Sequence, residues 1–197
     1  MSASDPSPRY GPRFEDALGY AARLHRQQER KGSGVPYVTH LLAVAAIVGE
    51  QGGSEDEVIA ALLHDAVEDQ GGQEQLEKIR ARYGEAVAEI VWGCTDADTV
   101  PKPPWRERKV IYVAHLEEAS PSIRLVSSAD KLHNARSILM DYRVLGAALW
   151  DRFTGGREGT LWYYRALADT FLRLAPGPLS DELARTVGEI ERLAADS

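Results

Sequence analysis

A dense group of ionisable side chains follows an uninterrupted apolar run in this chain. Residues 58–63 are all hydrophobic, and the next six residues contain an imidazole and three carboxylates, namely His64, Asp65, Glu68 and Asp69. Charges packed against a core-forming segment lose hydration, which costs free energy unless another group compensates them. A divalent metal ion is the simplest compensation, because imidazole and carboxylate groups ligate such ions and neighbouring acids can act on the bound water. The segment therefore predicts a metal-dependent active site.

The spacing of the two later acids suits a role beside the metal ion. Helical geometry places Glu68 about one turn after His64, and Asp69 about one turn after Asp65, on the same side of the helix. A carboxylate there can orient a water molecule or accept its proton. Solvated salt bridges at a helix end are the alternative, but acids at a helix C-terminus oppose the helix dipole. Glu68 and Asp69 are therefore the predicted catalytic residues.

The remaining ligands must come from other helices, because two adjacent residues cannot surround an ion. His40 is predicted at the start of the preceding helix, and Asp130 inside a long helix of the second half. Taken singly, such residues are more often structural or salt-bridged. Together with His64 and Asp65 they form a mixed nitrogen and oxygen set suited to Mn(II), Fe(II) or Zn(II). We predict one metal ion, because three other histidines lie in no recognisable ligand motif: His25, His115 and His133.

Helices are predicted almost throughout the chain, because apolar residues recur at i, i+3 and i+4 spacing from Phe14 onward. Ser54 and Glu57 form a capping-box sequence that starts the third helix, which carries His64 and Asp65 near its C-terminal end. Thr39 is the predicted N-cap of the second. The other predicted segments are about 14–30, 40–51, 73–83, 85–94, 105–118, 121–142, 145–153, 158–174 and 180–194. No alternating β-branched run predicts a sheet. The expected fold is all-α, one helical bundle of about nine to ten helices.

Length and composition suit a single globular domain. The chain has 197 residues, of which 44% are hydrophobic and 27% charged, and its net charge of −7 argues against broad nucleic-acid binding. No apolar run is long enough for a membrane span, and the N-terminus lacks the apolar region of a signal peptide. With a lone cysteine, Cys94, the chain is expected in the cytoplasm.

Residues 1–12 are predicted to be a disordered tail. Basic clusters at 26–31 and 106–109 could hold a phosphorylated substrate.

The ordered motifs resemble those of a known superfamily. His40, the pair His64–Asp65 and Asp130 match the H…HD…D pattern of the HD-domain metal-dependent phosphohydrolases. Longer blocks resemble the hydrolase domains of the RelA/SpoT type and their single-domain relatives, the small alarmone hydrolases. These blocks are Arg30–Gly32, Pro36–His40, Ala61–Asp69 and Ala129–Asn134. The resemblance covers about residues 14–175, and we expect the HD hydrolase domain to span 13–197.

The resemblance implies a Mn(II)-dependent 3′-pyrophosphohydrolase acting on guanosine 3′,5′-bis(diphosphate), ppGpp, and its pentaphosphate relative. It implies that His40, His64, Asp65 and Asp130 hold the metal, and that Glu68 and Asp69 activate or position the water. It also implies nucleotide contacts from Arg30, Lys31, Asn134 and either Tyr163 or Tyr164, with Tyr163 preferred. Lys131 is expected either to contact substrate or to hold an acidic neighbour. Two departures, Leu41 in place of a common proline and a short 31–36 loop, bear on base preference more than on catalysis.

Other functions remain open at this point. The same site could act on an adenosine alarmone or on the 2′-phosphate of NADPH, and product analysis over a nucleotide panel would separate these substrates. A non-catalytic nucleotide-binding protein is the alternative from another class, but such a protein would be expected to lose ligands or the acidic pair. The expected partner is a small phosphorylated nucleotide, with no nucleic acid and no membrane. The oligomeric state is left open.

Overall fold

The computed structural model describes residues 9–96 and 103–196 of the chain. Its α-helices, in chain order, are α1 (Pro12–Leu24), α2 (Val38–Glu50), α3 (Glu55–Leu63), α4 (Ala66–Gln70), α5 (Gly72–Tyr83), α6 (Glu85–Cys94), α7 (Trp105–His115), α8 (Pro121–Leu145), α9 (Gly156–Leu174) and α10 (Pro178–Ala195). A 3₁₀ helix, Gly146–Arg152, joins α8 to α9. Within the described ranges there is no strand, and one isolated bridge pairs Glu29 with Pro36. The predicted all-α class is confirmed.

Helix α3 forms the centre of the core. Every residue from Val58 to Leu63 is buried, and α3 packs against α1, α2, α6 and α8. The apolar run is hydrophobic on all sides because all sides of the helix meet other helices. Burial of each large apolar side chain contributes about 1.5–3 kcal/mol. This packing fixes the end of α3, and therefore His64, in the middle of the molecule.

The start of α3 follows the predicted capping box, but its end does not follow the prediction. The Ser54 amide donates to Glu57 Oε2 at 2.7 Å, and the Glu57 amide donates to Ser54 Oγ at 3.3 Å. The predicted continuous helix through the motif is wrong, because α3 ends at Leu63 and α4 begins at Ala66. His64 Nδ1 bonds the Ala61 carbonyl at 2.8 Å, which is the oxygen that residue 65 would use in a continuous helix.

The end of α1 also differs from the prediction, and the difference builds part of the site. Helix α1 ends at Leu24 and does not continue to residue 30. The non-helical stretch 25–37, here called the 25–37 segment, folds back on itself. The Arg30 amide donates to the Val35 carbonyl at 2.7 Å, and the Tyr37 amide donates to the Gln28 carbonyl at 2.8 Å. Gly32, at φ 77°, supplies the left-handed backbone that this turn requires.

Several predicted boundaries need correction. The N-cap of α2 is Tyr37, so Thr39 lies inside the first turn, where its hydroxyl donates to the Pro36 carbonyl at 2.8 Å. Helix α7 ends at His115. Residues 9–11 are not a free tail, because the Gly11 amide donates to Glu55 Oε1 at 2.6 Å, and residue 12 already lies in α1. The rest of the predicted tail, 1–8, and loop residues 97–102 lie outside the described residues.

Helix α8 carries the second half of the site. It has 25 residues and packs against α2, α3, α6, α9 and α10. It begins at Pro121, as predicted, but it extends to Leu145, three residues further. The helix passes beside the end of α3, which brings Asp130 toward His64. In the described part of the chain, no helix is both long and apolar enough to cross a membrane.

Candidate metal centre and adjoining cleft

The four predicted metal ligands come together between α2, α3 and α8: His40, His64 and Asp65 form a group that could hold an ion, and Asp130 lies against both imidazoles. His40 Nε2 lies 3.2 Å from Asp130 Oδ1 and 3.5 Å from Asp65 Oδ2. His64 Nε2 lies 3.0 Å from Asp65 Oδ2 and 3.6 Å from Asp130 Oδ1. Ligands about 2.1 Å from one ion are separated by about 3–4 Å, so these distances suit a shared cation. Helices α2 and α8 and the two-residue link after α3 therefore supply a two-histidine, two-aspartate set.

Both imidazoles turn Nε2 toward the carboxylates. His64 Nδ1 donates to the Ala61 carbonyl, and His40 Nδ1 contacts His133 Nδ1 at 2.7 Å. Each Nε2 is buried, and neither makes a well-directed hydrogen bond despite its short distance to the carboxylates. A nitrogen lone pair facing carboxylate oxygens is repulsive unless a positive charge lies between them. The residues present therefore fit a divalent cation.

The electrostatics favour positive charge at this point. Burial opposes protonation of His64, but the carboxylates of Asp65 and Asp130 outweigh it and raise the pKa of His64 well above its usual range. Burial likewise opposes ionisation of Asp65 and Asp130. The imidazoles, together with the Lys131 ammonium beside Asp130, still hold the pKa of both carboxyl groups well below the usual range. Both carboxylates are thus ionised, and either a proton or a metal ion can occupy the His64 nitrogen.

Neighbouring polar groups hold the two aspartates. The Tyr37 hydroxyl donates to Asp65 Oδ2 at 2.6 Å. Lys131 Nζ donates to Asp130 Oδ2 at 2.6 Å, and Asn134 Nδ2 donates to Asp130 Oδ1 at 2.5 Å. Such outer contacts fix the orientation of ligands and their basicity. Lys131 is therefore placed against an acidic neighbour, one of its two expected positions.

The acidic pair lies on the short helix α4, next to the ligands. Both residues fall in its first turn, where carboxylates interact favourably with the helix dipole, so the predicted placement against the dipole is wrong. The Asp69 amide donates to the Asp65 carbonyl at 3.0 Å, which places Asp69 one turn after that ligand. Glu68 is half-buried, and its charge acts on Lys109 of α7. Both acids are thus within one turn of the proposed ligands.

A cleft of about 440 Å³ opens beside the metal ligands. Arg30, Lys31 and Asn134 line it, together with Tyr164, and Arg30 donates to Asn134 Oδ1 at 2.7 Å. The remaining wall is mixed, with apolar side chains from Val35, Ile138, Met140, Leu149 and Phe153 and polar ones from Asp141 and Arg152. An apolar wall with a few convergent polar groups is typical of small-molecule sites. The larger depression at Arg23, Arg26 and Asp69 is an open, polar surface.

Tyr163 lies on the buried side of the same region, whereas Tyr164 faces the cleft. The Tyr163 hydroxyl is buried and has no hydrogen-bond partner among the described residues. Burial raises the pKa of Tyr163 well above its usual range, so the phenol stays protonated and can donate. Lys109 Nζ lies 5.0 Å from its ring centre, and the charge of Lys131 also acts on it. A buried donor beside two cations suits an anionic group.

Sequence analysis missed three residues that contact the site. His133 lies three positions after Asp130, which is the spacing of helix neighbours, so its contact with His40 could have been anticipated. Tyr37 belongs to a recognised block but was given no role. Gln28 donates to Asp69 Oδ2 at 2.7 Å. No local pattern marks Gln28, because the contact depends on how the 25–37 segment folds.

The chain is similar in sequence to proteins of one known family. A family model described as HD domain matches residues 17–160. The guanosine-3′,5′-bis(diphosphate) 3′-pyrophosphohydrolase MESH1 of Homo sapiens is 41% identical over 126 residues, which cover 62% of this chain and 68% of that protein. The GTP pyrophosphokinase of Streptomyces coelicolor is 37% identical over 126 residues, which cover 64% of this chain but only 14% of that much longer protein.

Two solved structures share the fold. A metazoan ortholog of SpoT, described as hydrolysing ppGpp, superposes with a TM-score of 0.72 at 28% identity, covering 96% of this chain and 97% of that one. The crystal structure of lmo0812 from Listeria monocytogenes gives a TM-score of 0.70 at 32% identity, covering 78% of this chain and 99% of that one. The similarity to the first structure extends over nearly the whole helical architecture.

Proposed function

The chain belongs to the HD-domain family, and we propose that it is a guanosine-3′,5′-bis(diphosphate) 3′-pyrophosphohydrolase. The observation that carries this proposal is the pair of buried imidazole Nε2 atoms of His40 and His64, which face the carboxylates of Asp65 and Asp130. Relatives named for this activity are about 40% identical to the chain. The cleft beside the ligands supplies the cationic and polar groups that a phosphorylated nucleotide requires.

The reaction consumes water and breaks the bond between O3′ of the ribose and the phosphorus attached to it. The oxygen of water bonds to that phosphorus, which is released as part of pyrophosphate. The ribose O3′ takes a proton, and the other product is GDP. In such sites a bound divalent ion lowers the pKa of its water and polarises a phosphoryl oxygen. We assign His40, His64, Asp65 and Asp130 as its ligands.

The residues of the chain have separate tasks in this scheme. Glu68 and Asp69 orient the attacking water and accept its proton, because both carboxylates lie within one helical turn of the ligands. Arg30 and Lys31 bind the nucleotide in the cleft, and Asn134 links Arg30 to Asp130, so binding and ligation share one hydrogen-bonded chain. Lys131 and Tyr163 provide positive charge and a donor for the departing pyrophosphate.

We assign Mn(II) as the metal, on the basis of the mixed imidazole and carboxylate ligands and the family resemblance. We also assign residues 13–197 to one HD hydrolase domain. We place the protein in the cytoplasm, since its one cysteine, Cys94, is a buried free thiol, which is compatible with a reducing compartment. Cell fractionation tests this location, and metal analysis of protein purified without added metal tests the ion.

A nucleotide panel tests the proposed function. Purified protein with Mn(II) is incubated with ppGpp, the adenosine analogue of ppGpp and NADPH, and the products are separated by chromatography. Conversion of ppGpp to GDP and pyrophosphate, with a chelator control that shows none, is the expected result. Faster turnover of the adenosine compound or release of orthophosphate from NADPH would contradict the substrate assignment. No turnover of any compound would contradict the enzyme assignment.

A further inference from the structure

We infer that Gln28 is a positioning residue that holds the carboxylate of Asp69 in the orientation needed for catalysis. The inference rests on the proposed function, because Asp69 acts on water only if the site is hydrolytic. Gln28 Nε2 donates to Asp69 Oδ2 at 2.7 Å, although the two residues are 41 positions apart in the chain. A hydrogen bond to an ionised acceptor is stronger than a neutral one, so this contact can fix a side chain.

The other end of the Gln28 amide is fully occupied. Gln28 Oε1 accepts from Gln70 Nε2 at 2.7 Å and contacts His25 Nδ1 at 2.7 Å. Because a carbonyl oxygen can only accept, His25 must carry its proton on Nδ1. Burial lowers the pKa of His25, which agrees with a neutral ring in this tautomer. Two donors therefore saturate the oxygen and leave the NH₂ group for Asp69.

This network also determines which way the amide points. In the flipped orientation, Oε1 would face the Asp69 carboxylate, and two acceptors repel each other. The His25 tautomer and the Gln70 amide can adapt to either orientation, so the Asp69 carboxylate selects the one that directs Nε2 toward it. A glutamine in a single orientation is an effective clamp, because its rotamer entropy is already lost before substrate binds.

Buried residues hold Gln28 in place. The His25 side chain is 1% exposed, and its ring stacks on Tyr37 with the centroids 5.4 Å apart. The Gln28 carbonyl accepts from the Tyr37 amide at 2.8 Å, and the Gln28 amide donates to the His25 carbonyl at 3.1 Å. The 25–37 segment therefore ties the backbone and the side chain of Gln28 to the same buried residues.

Asp69 needs such support because of where it lies. It is an exposed residue on α4, which has five residues and ends at Gln70. A helix this short has little stability of its own. An exposed carboxylate on it can adopt several rotamers, and only some direct an oxygen toward the ligands. The same clamp also bonds Gln70, so it restrains the end of α4 as well as the Asp69 side chain.

Steady-state kinetics with Mn(II) and ppGpp test the inference through the Gln28→Leu variant. Its kcat should fall about tenfold to a hundredfold, below the loss of about a hundredfold or more expected when the general base itself is removed in Asp69→Asn. KM and bound metal should change less than twofold, because the Gln28 side chain contacts neither the proposed ligands nor the residues that line the cleft. Gln27→Leu is the matched control, because Gln27 is exposed and lies one position away; its kcat should equal that of the wild type.

The double variant separates positioning from general structural damage. If Gln28 acts through Asp69, then Gln28→Leu should cause less than a twofold further loss of kcat in the Asp69→Asn background. An equal loss in both backgrounds, or wild-type kcat in Gln28→Leu, would overturn the inference while leaving the function intact. Absence of ppGpp turnover in the wild-type protein would overturn both the proposed function and this role.

Two further measurements cover a Gln28→Leu variant that fails to fold. Gln28→Glu has the same shape and keeps the acceptor for Gln70 and His25, but it turns a second carboxylate toward Asp69, and its kcat should fall at least tenfold. In NMR spectra of the metal-free protein, the Gln28 side-chain amide should shift in Asp69→Ala and keep its position in Glu68→Ala. Unchanged kcat in Gln28→Glu, or an unshifted amide, would overturn the inference.

Discussion

Replacement of Lys131 by methionine should destabilise the metal-free protein far more than the metal-loaded protein. Lys131 Nζ lies 2.6 Å from Asp130 Oδ2, and the two side chains are only 13% and 8% exposed. Methionine keeps the length and apolar stem of lysine but removes the charge. Breaking one partner of a buried ion pair costs about 3–5 kcal/mol when the other charge is left uncompensated. Because His64 and Asn134 still contact Asp130, we expect about 3 kcal/mol, the lower end of this range. For a chain of this length that corresponds to a fall in Tm of about 6–12 °C.

A bound divalent cation changes this expectation. Asp130 Oδ1 lies 3.2 Å from His40 Nε2, so an ion held by these residues would neutralise the carboxylate that Lys131 now compensates. The loss of stability should therefore be smaller at saturating Mn(II) than in a chelator. Urea unfolding followed by circular dichroism, in EDTA and in Mn(II), measures both free energies of unfolding.

The matched control is Lys109→Met. Lys109 also pairs with a buried carboxylate, at 2.8 Å from Asp96 Oδ2, but Asp96 keeps Arg108 as a second partner. Its loss should be about 1–2 kcal/mol and should not depend on Mn(II). A loss below about 1 kcal/mol for Lys131→Met in EDTA, or an equal loss with and without Mn(II), would refute the argued coupling between Lys131, Asp130 and the metal.

Three other predictions concern the metal centre. His133→Ala should weaken Mn(II) binding about tenfold to a hundredfold, because His40 loses the partner of its Nδ1. Calorimetry measures the affinity, and an unchanged value would show that His133 does not support His40 as a ligand. Mn(II) binding should release protons and tighten as pH rises, because the raised pKa of His64 means that a proton competes for the same nitrogen. Calorimetry in buffers of different ionisation enthalpy detects the released protons. An Mn(II) affinity that does not depend on pH would contradict this competition. Asp65→Ala should lose both bound metal and turnover, whereas Glu68→Ala should keep the metal and lose about a hundredfold or more in kcat; full activity in either variant would refute the assigned roles.

The clustering of the four proposed ligands could be anticipated from sequence because they lie at the ends or within the buried faces of regular helices. His40 and Asp130 belong to helices that the apolar periodicity predicts well, and His64 follows a fully buried run. The break after α3 could not be anticipated, because a side chain of the motif itself, His64, takes the carbonyl that would continue the helix. Residue spacing carries no information about that competition.

The cleft was less predictable than the ligands. Its Arg30 and Lys31 were expected at the end of a helix, but α1 ends at Leu24 and the 25–37 segment carries them. Turn contacts that periodicity does not encode override the helical pattern of that stretch: the side chain of His25 meets Gln28, and the Tyr37 amide meets the Gln28 carbonyl. These turn contacts decide the position of Gln28 relative to Asp69. They became visible only in three dimensions.

The most direct test of the proposed function follows the oxygen of the attacking water. Wild-type protein with Mn(II) and ppGpp is incubated in H₂¹⁸O, and both products are analysed by mass spectrometry. Attack at the phosphorus bonded to O3′ places one ¹⁸O in pyrophosphate and none in GDP, and the chelator control should show no turnover. Label in GDP, orthophosphate in place of pyrophosphate, or turnover that survives complete removal of metal would contradict the proposed reaction.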